Sequence, residues 1–268
     1  MFVPFIQVIN FPSQVERRRS VERQMARLGL PFQFLEAVDG KSLGAQAHEE
    51  FGVARFGLEQ RFLSRGELAC CLSHRQALLN LLYSDAPYGV IMEDDVSLPA
   101  DFARWISDPA IFPEGWELVR LSGSYHLPYR GWPVAQVHER MAYVSDRAPF
   151  GSACYLVSRD GAAKLLRSSR TFREPIDLLY GRQLKTGCQV HEILPYPVGW
   201  MDMETSIGDR SQPARRRMSP LDRLGRKLWR ARISLERRLW LLRRIGLRAA
   251  LRIDRGTRVN LWEKGPAG

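Results

Sequence analysis

The chain has 268 residues, 45% of them apolar and 10% aromatic, with a formal net charge of +11. That is enough for one large domain, or one domain with an appendage, around a real core. No stretch reaches the roughly 18–20 uninterrupted apolar residues of a membrane span, and residues 1–10 lack the basic start and long apolar run of a secretory leader.

The charge is unevenly placed. Between Arg210 and Arg258 lie 17 Lys or Arg against three acids, a surplus of 14, which leaves the rest of the chain at −3. A mildly acidic body with a strongly basic end suggests chemistry in the first and attachment in the second. Cys70, Cys71, Cys154 and Cys188 show neither CxxC pairing nor a disulfide-framework spacing. They read as reduced thiols of a cytosolic protein.

In chain order, residues 3–9 predict a buried strand. Ser13 and Glu16 then fit a capping box, and Val21, Met25 and Leu28 recur at helical spacing up to Gly29, a C′ glycine. Residues 32–38 predict a second strand, so the chain opens as a βαβ unit. A second capping box, Ser64 with Glu67, precedes a helix whose inner face carries Leu68, Cys71, Leu72, Leu78, Leu79 and Leu82. Pro87 ends it and a strand over 90–92 follows. Further expectations are a helix over 98–106, a strand over 117–121, a turn at Ser122, Gly123 and Ser124, and a loop or short hairpin over 125–146. Beyond these come a strand over 153–158, a helix from Ala162, a helical turn opened by Pro175, and a last strand over 190–194. From Leu221 apolar residues recur every three or four positions to Ala249, predicting one long amphipathic helix or two broken near Gly246, with Trp229 and Trp240 beside the stripe.

Glu93, Asp94 and Asp95 follow directly on the apolar run Val90, Ile91 and Met92. Three adjacent carboxylates repel one another and need solvent, protonation, a basic partner or a cation. A hard divalent ion takes oxygen ligands, and open α/β sheets bind ligands beyond the carboxyl ends of their strands. The competing reading is a solvated acidic loop.

The surrounding pattern resembles glycosyltransferase family 25. It carries the segment Gly66, Glu67, Cys70, Ser73 and His74 (G-E-x-x-C-x-x-S-H) and then the apolar strand ending in Glu93, Asp94 and Asp95. Asn10 with Arg17 and Arg18, the Asp39–Gly40 turn, the run from Gly151 to Ala162, and Pro175 with Asp177 agree in order, and Ser206 with Ile207 resembles a terminal S-I. The resemblance implies a GT-A-like, single-domain α/β fold with a mixed sheet over residues 1–209, followed by a basic amphipathic helical tail over 210–268. It implies a UDP-sugar donor, often UDP-galactose, inversion at the anomeric carbon, and Mn²⁺ or Mg²⁺ on Glu93 and Asp95. Asp94 would contact the donor.

Inverting transfer needs a general base near the acceptor hydroxyl. Asp177 is the candidate, with Glu174 behind it; the alternative is an acid complementing the dipole of a helix start. Arg17, Arg18 and Arg19 either reach a diphosphate or cover a solvated helix face. Asn10, Asp39 and Gly40 are candidates for the donor's base or ribose, with Gly40 permitting close backbone approach. Glu67 and His74 would line the donor or acceptor pocket; a buried histidine and a capping glutamate are the bland readings. Glu67, Cys70 or Cys71, and His74 share a helix face, but form a zinc site only with a further ligand from elsewhere.

The basic tail has three candidate partners: an anionic membrane surface, the body itself or a second subunit, and nucleic acid, the least favoured. Together these features predict an inverting hexosyltransferase acting on lipooligosaccharide or another bacterial surface glycan. It would be cytoplasmic and peripheral on the inner membrane. The alternatives are a nucleic-acid-binding protein or a non-catalytic transferase-like scaffold.

Overall fold

In the computed structural model, residues 4–44, 46–51, 63–123, 129–145, 151–172, 174–201, 220–251 and 258–259 are described. The chain begins with strand β1 (Phe5–Asn10), helix α1 (Val15–Leu28) and strand β2 (Gln33–Glu36), and β1 and β2 pair in parallel as the βαβ reading requires. The predicted Ser13 cap does not form. Gln14 is the N-cap, and its carbonyl accepts from Arg18 N–H, so the helix starts one residue later and Glu16 pairs with Arg19 instead. Gly29 adopts the left-handed conformation, φ 63°, that closes α1.

A short helix α2 (Ala47–Glu50) precedes α3 (Arg65–Tyr83). The α3 capping box is complete. Ser64 Oγ accepts from Glu67 N–H at 3.1 Å, and the Glu67 carboxylate accepts from Ser64 N–H at 2.7 Å. Next come β3 (Tyr88–Glu93), β4 (Val96–Ser97), α4 (Phe102–Ile106), a 3₁₀ turn at Pro109–Ile111 and β5 (Leu118–Arg120). The hairpin of β6 (Tyr129–Val137) and β7 (Arg140–Ser145) fills part of the stretch read as loop or hairpin; Ser124 and residues 125–128 lie outside the described residues. Then follow β8 (Cys154–Ser158), α5 (Arg159–Ser168), α6 (Ile176–Tyr180), α7 (Gln183–Thr186), β9 (Val190–Leu194), β10 (Gly199–Trp200), α8 (Pro220–Leu251) and β11 (Arg258–Val259).

Among the described residues, nine strands form one mixed sheet in the order β11-β6-β7-β9-β5-β8-β3-β1-β2. Strand β3 is parallel to β1 and antiparallel to β8; β8 is antiparallel to β5, and β5 is parallel to β9. The carboxyl ends of β1, β2, β3, β5 and β9 therefore share one edge with the start of β8.

Both faces of the central strands are covered. Val90, Met92, Cys154, Leu156 and Val119 pack with Val21 and Met25 of α1 and with Phe102 and Trp105 of α4. The alternate residues Ile91, Tyr155, Val157 and Leu118 pack with Leu68, Leu78 and Leu81 of α3 and with α5 and α6. This alternation is the period of two of a strand buried on both sides.

Helix α8 joins the body through Leu241, which is buried, an Arg182–Glu236 ion pair at 2.8 Å, and Arg244, which lies 3.1 Å from His191 Nε2. Backbone geometry breaks at Gly246. Leu224, Leu228, Leu235 and Leu239 of the predicted stripe stay 55, 64, 57 and 42% exposed. No helix among the described residues is long and apolar enough to cross a membrane.

Candidate active site

The acidic triplet stands at the shared strand-end edge, and its three carboxylates have different surroundings. Asp94 turns into the protein. It accepts from Asn10 Nδ2 at 2.8 Å and from Arg17 at 3.1 Å, with both ion-pair partners buried. Parallel pairing of β1 with β3 makes this contact, because Asn10 is the residue after the Ile9–Glu93 pair.

Glu93 is held from the other side. Its Oε1 accepts from Ser152 Oγ at 2.8 Å and faces His74 Nε2 at 3.3 Å. Burial pushes its carboxyl up, but His74, Ser152 and the Arg17 charge outweigh that and hold it below the usual range. Both of these bonds fall on Oε1.

Asp95 has the fewest partners. Its Oδ1 is buried without a hydrogen bond among the described residues, and Arg17 stands 3.9 Å from its other oxygen. Burial, then the Glu93 charge, raises its carboxyl to about 7. A buried carboxylate oxygen with no donor, beside a second carboxylate, is a pair that a hard divalent cation satisfies. Glu93 and Asp95 thus fit the ion that the resemblance implies, while Asp94 holds Arg17 in place.

A buried hydrogen-bonded row stands behind Glu93. His74 Nδ1 lies 3.0 Å from Tyr155 Oη, which lies 2.8 Å from Tyr180 Oη. Burial raises both phenols far above their ordinary value, so both are neutral hydroxyls. Helix α3, strand β8 and helix α6 each supply one member.

Asp177 approaches the site through the backbone. Its Oδ2 accepts from Gly151 N–H at 3.0 Å, next to Ser152, and its Oδ1 accepts from Leu178 N–H at 2.8 Å. The Gly151 carbonyl in turn accepts from Arg120. Arg120 Nε lies 3.5 Å from Glu192, which also accepts from Tyr196 Oη at 2.5 Å. Burial lifts Glu192 to about 7 against the pull of Arg120 and Tyr196. Sequence reasoning missed Ser152, Tyr155, Tyr180, Arg120 and Glu192. The available signal was a charge inside an apolar strand, as in Val119-Arg120-Leu121 and His191-Glu192-Ile193.

Other candidates are placed differently. The Glu174 carboxylate is buried between Lys185 at 2.6 Å and Arg182 at 3.1 Å, so it faces α7 rather than the triplet. Arg17 is committed to the acids, Arg18 lies 3.9 Å over the Phe34 ring, and Arg19 pairs with Glu16. Asp39 is exposed and accepts from Lys41 N–H. Gly40 does permit a close approach, but to protein: a Cβ there would stand 2.8 Å from the Arg65 carbonyl oxygen. Glu67 caps α3. Ser206 and Ile207 lie outside the described residues.

Comparison with known proteins decides the class. The sequence model of glycosyltransferase family 25 (LPS biosynthesis protein) matches residues 3–180. The chain belongs to glycosyltransferase family 25. Among relatives, it is 27% identical over 259 residues to the lacto-N-neotetraose biosynthesis glycosyltransferase LgtB of Neisseria meningitidis serogroup B, covering 86% of this chain and 93% of that protein. It is 28% identical to procollagen galactosyltransferase 1-B of Xenopus laevis and to a glycosyltransferase 25 family member of Aedes aegypti. These matches cover 60% and 62% of this chain, and it spans only 28% of the length of either relative. A solved glycosyltransferase involved in glycosylation of the major capsid of PBCV-1 aligns at 13% identity and a TM-score of 0.31, over 62% of this chain and 64% of that one. The chain is thus a member of a glycosyltransferase family, built as a mixed α/β fold.

Proposed function

We propose that this family 25 member is an inverting hexosyltransferase with a GT-A-like body, taking galactose from UDP-galactose to a lipooligosaccharide or related surface glycan. The observation that carries the reading is the orphaned Asp95 Oδ1 beside Glu93 at the strand-end edge. Glu93 and Asp95 would hold Mn²⁺ or Mg²⁺. Such an ion supplies positive charge to a departing diphosphate.

The chain's own groups account for the remainder. Arg17 and Asn10 fix Asp94 and so fix the backbone from which Asp95 projects. His74 and Ser152 hold one Glu93 oxygen and leave the other for ligation. Asp177 receives the acceptor hydroxyl's proton as that oxygen attacks the anomeric carbon and the bond to the diphosphate breaks; each of its oxygens keeps acceptor capacity beyond its one backbone N–H. The relatives' names, a lacto-N-neotetraose biosynthesis glycosyltransferase and a procollagen galactosyltransferase, favour a hexose and in one case galactose.

Helix α8 supports peripheral attachment to an anionic membrane at the cytoplasmic face of the inner membrane. Four exposed leucines share the helix with cations including Lys227, Arg232 and Arg238. Deletion of residues after 215 should release the protein from anionic vesicles.

The deciding experiment is a panel of UDP-sugars with Mn²⁺, with and without chelator, in the presence of glycolipid acceptors. Chelator-sensitive turnover of UDP-galactose is expected. No metal-dependent turnover of any UDP-sugar overturns the reading.

A further inference from the structure

The geometry points to a second, softer metal site, formed by Cys70, His74 and Glu93 and suited to Zn²⁺, which shares Glu93 with the hard-cation pair. Cys70 and His74 lie four residues apart on one face of α3, and Glu93 supplies the further ligand from β3. One ligand atom of each of these three lies within 4.8 Å of the others. Ser152 Oγ stands beside two of them, 2.8 Å from Glu93 Oε1 and 3.2 Å from His74 Nε2.

The dimensions fit a tetrahedron. Bonds of about 2.0 Å to nitrogen and oxygen require ligand-to-ligand edges of about 3.3 Å. The edge between His74 Nε2 and Glu93 Oε1 is 3.3 Å. Cys70 Sγ, with a longer bond of about 2.3 Å, supplies the third protein vertex, and a water the fourth.

Two further features suit a metal. The other His74 nitrogen, Nδ1, is held by Tyr155 Oη at 3.0 Å, itself backed by Tyr180. This is the outer partner that fixes a metal-ligating imidazole. The donor set of thiolate, imidazole and one carboxylate favours Zn²⁺ over Mg²⁺, Mn²⁺ or Ca²⁺. Binding releases the thiol proton of Cys70 to solvent and leaves a thiolate–metal bond. Glu93 bridges the two sites: its Oε1 faces His74, and its other oxygen is the one left for the hard cation beside Asp95. This bridging rests on the proposed metal role of Glu93 and Asp95; the site itself does not.

The test is a Co²⁺ titration of the metal-free, full-length protein. A thiolate-to-cobalt charge-transfer band in the near ultraviolet is expected at one Co²⁺ per chain, displaced by Zn²⁺. It should vanish in Cys70→Ser and persist in Cys188→Ser. Tyr155→Phe should keep the band but weaken Co²⁺ affinity about 10–100-fold. Absence of the band in the wild-type protein, or its persistence in Cys70→Ser, overturns the proposal. The band needs no sugar transfer, so its presence in a protein that fails the UDP-sugar panel would sink the proposed function and not this site.

Discussion

Arg17 and Asp94 form a buried ion pair at 3.1 Å, with side chains only 5 and 8% exposed, one residue away from a carboxylate oxygen that has no donor among the described residues. Removing one member leaves the other charged and buried. Asp94→Ala should therefore destabilise the fold by about 3–5 kcal/mol, read from urea unfolding. A loss below about 1 kcal/mol would show that the pair is not the anchor described here.

Asp95 should behave in the opposite way. Burial and Glu93 raise its carboxyl to about 7, so between about pH 4 and 7 the folded protein holds a proton that the unfolded chain has released. That contribution to stability is present at low pH and is lost as pH rises through 7. Glu192, also raised to about 7, acts in the same sense. His191, lowered to about 4 by burial and Arg244, acts oppositely between about 4 and 6.5. The difference between wild type and Asp95→Asn isolates the first group. Without metal, the variant should gain relative stability as pH rises from 5 to 8, by up to a few kcal/mol on the order of the shift. A pH-independent difference would contradict the account.

Ser152 acts on metal through Glu93. Ser152→Ala frees Glu93 Oε1 from its 2.8 Å bond and should weaken Mn²⁺ affinity about 10–100-fold, measured by the paramagnetic resonance of free Mn²⁺. Unfolding should change little. An unaltered Mn²⁺ affinity would separate Ser152 from the site.

Asp177→Asn keeps an oxygen for the Gly151 N–H but loses the capacity to take a proton. Transfer should fall about 10²–10⁴-fold with donor affinity retained. Near-normal turnover would leave Asp177 as an anchor of the Gly151 loop and of the start of α6.

The legible parts of this protein were local. The Ser64–Glu67 box, the end of α1 at Gly29, and the acids following β3 all lie within a few residues of their own signals. Ser13 misled because a capping pattern does not fix which carbonyl first accepts, and Gln14 took that place. Long-range partners were not legible. Arg17 meets Asp94 only because β1 and β3 pair in parallel, and Ser152 and Tyr155 meet His74 only because β8 runs antiparallel to β3. The sequence reading sets Glu174 behind Asp177 at the site, yet the two cations of α7 and its approach hold it elsewhere. The apolar stripe of α8 was readable, but the buried Leu241 lies off it, while Leu224, Leu228, Leu235 and Leu239 of the stripe stay exposed.

Asp95→Asn, assayed beside wild type and Asp94→Asn for Mn²⁺-dependent hexose transfer from UDP-galactose, tests the central claim most directly. Asp95→Asn should fold, lose at least about 100-fold in turnover, and no longer respond to added Mn²⁺. Wild-type turnover with undiminished metal dependence in that variant would show that the strand-end acids are not the metal grip of this protein.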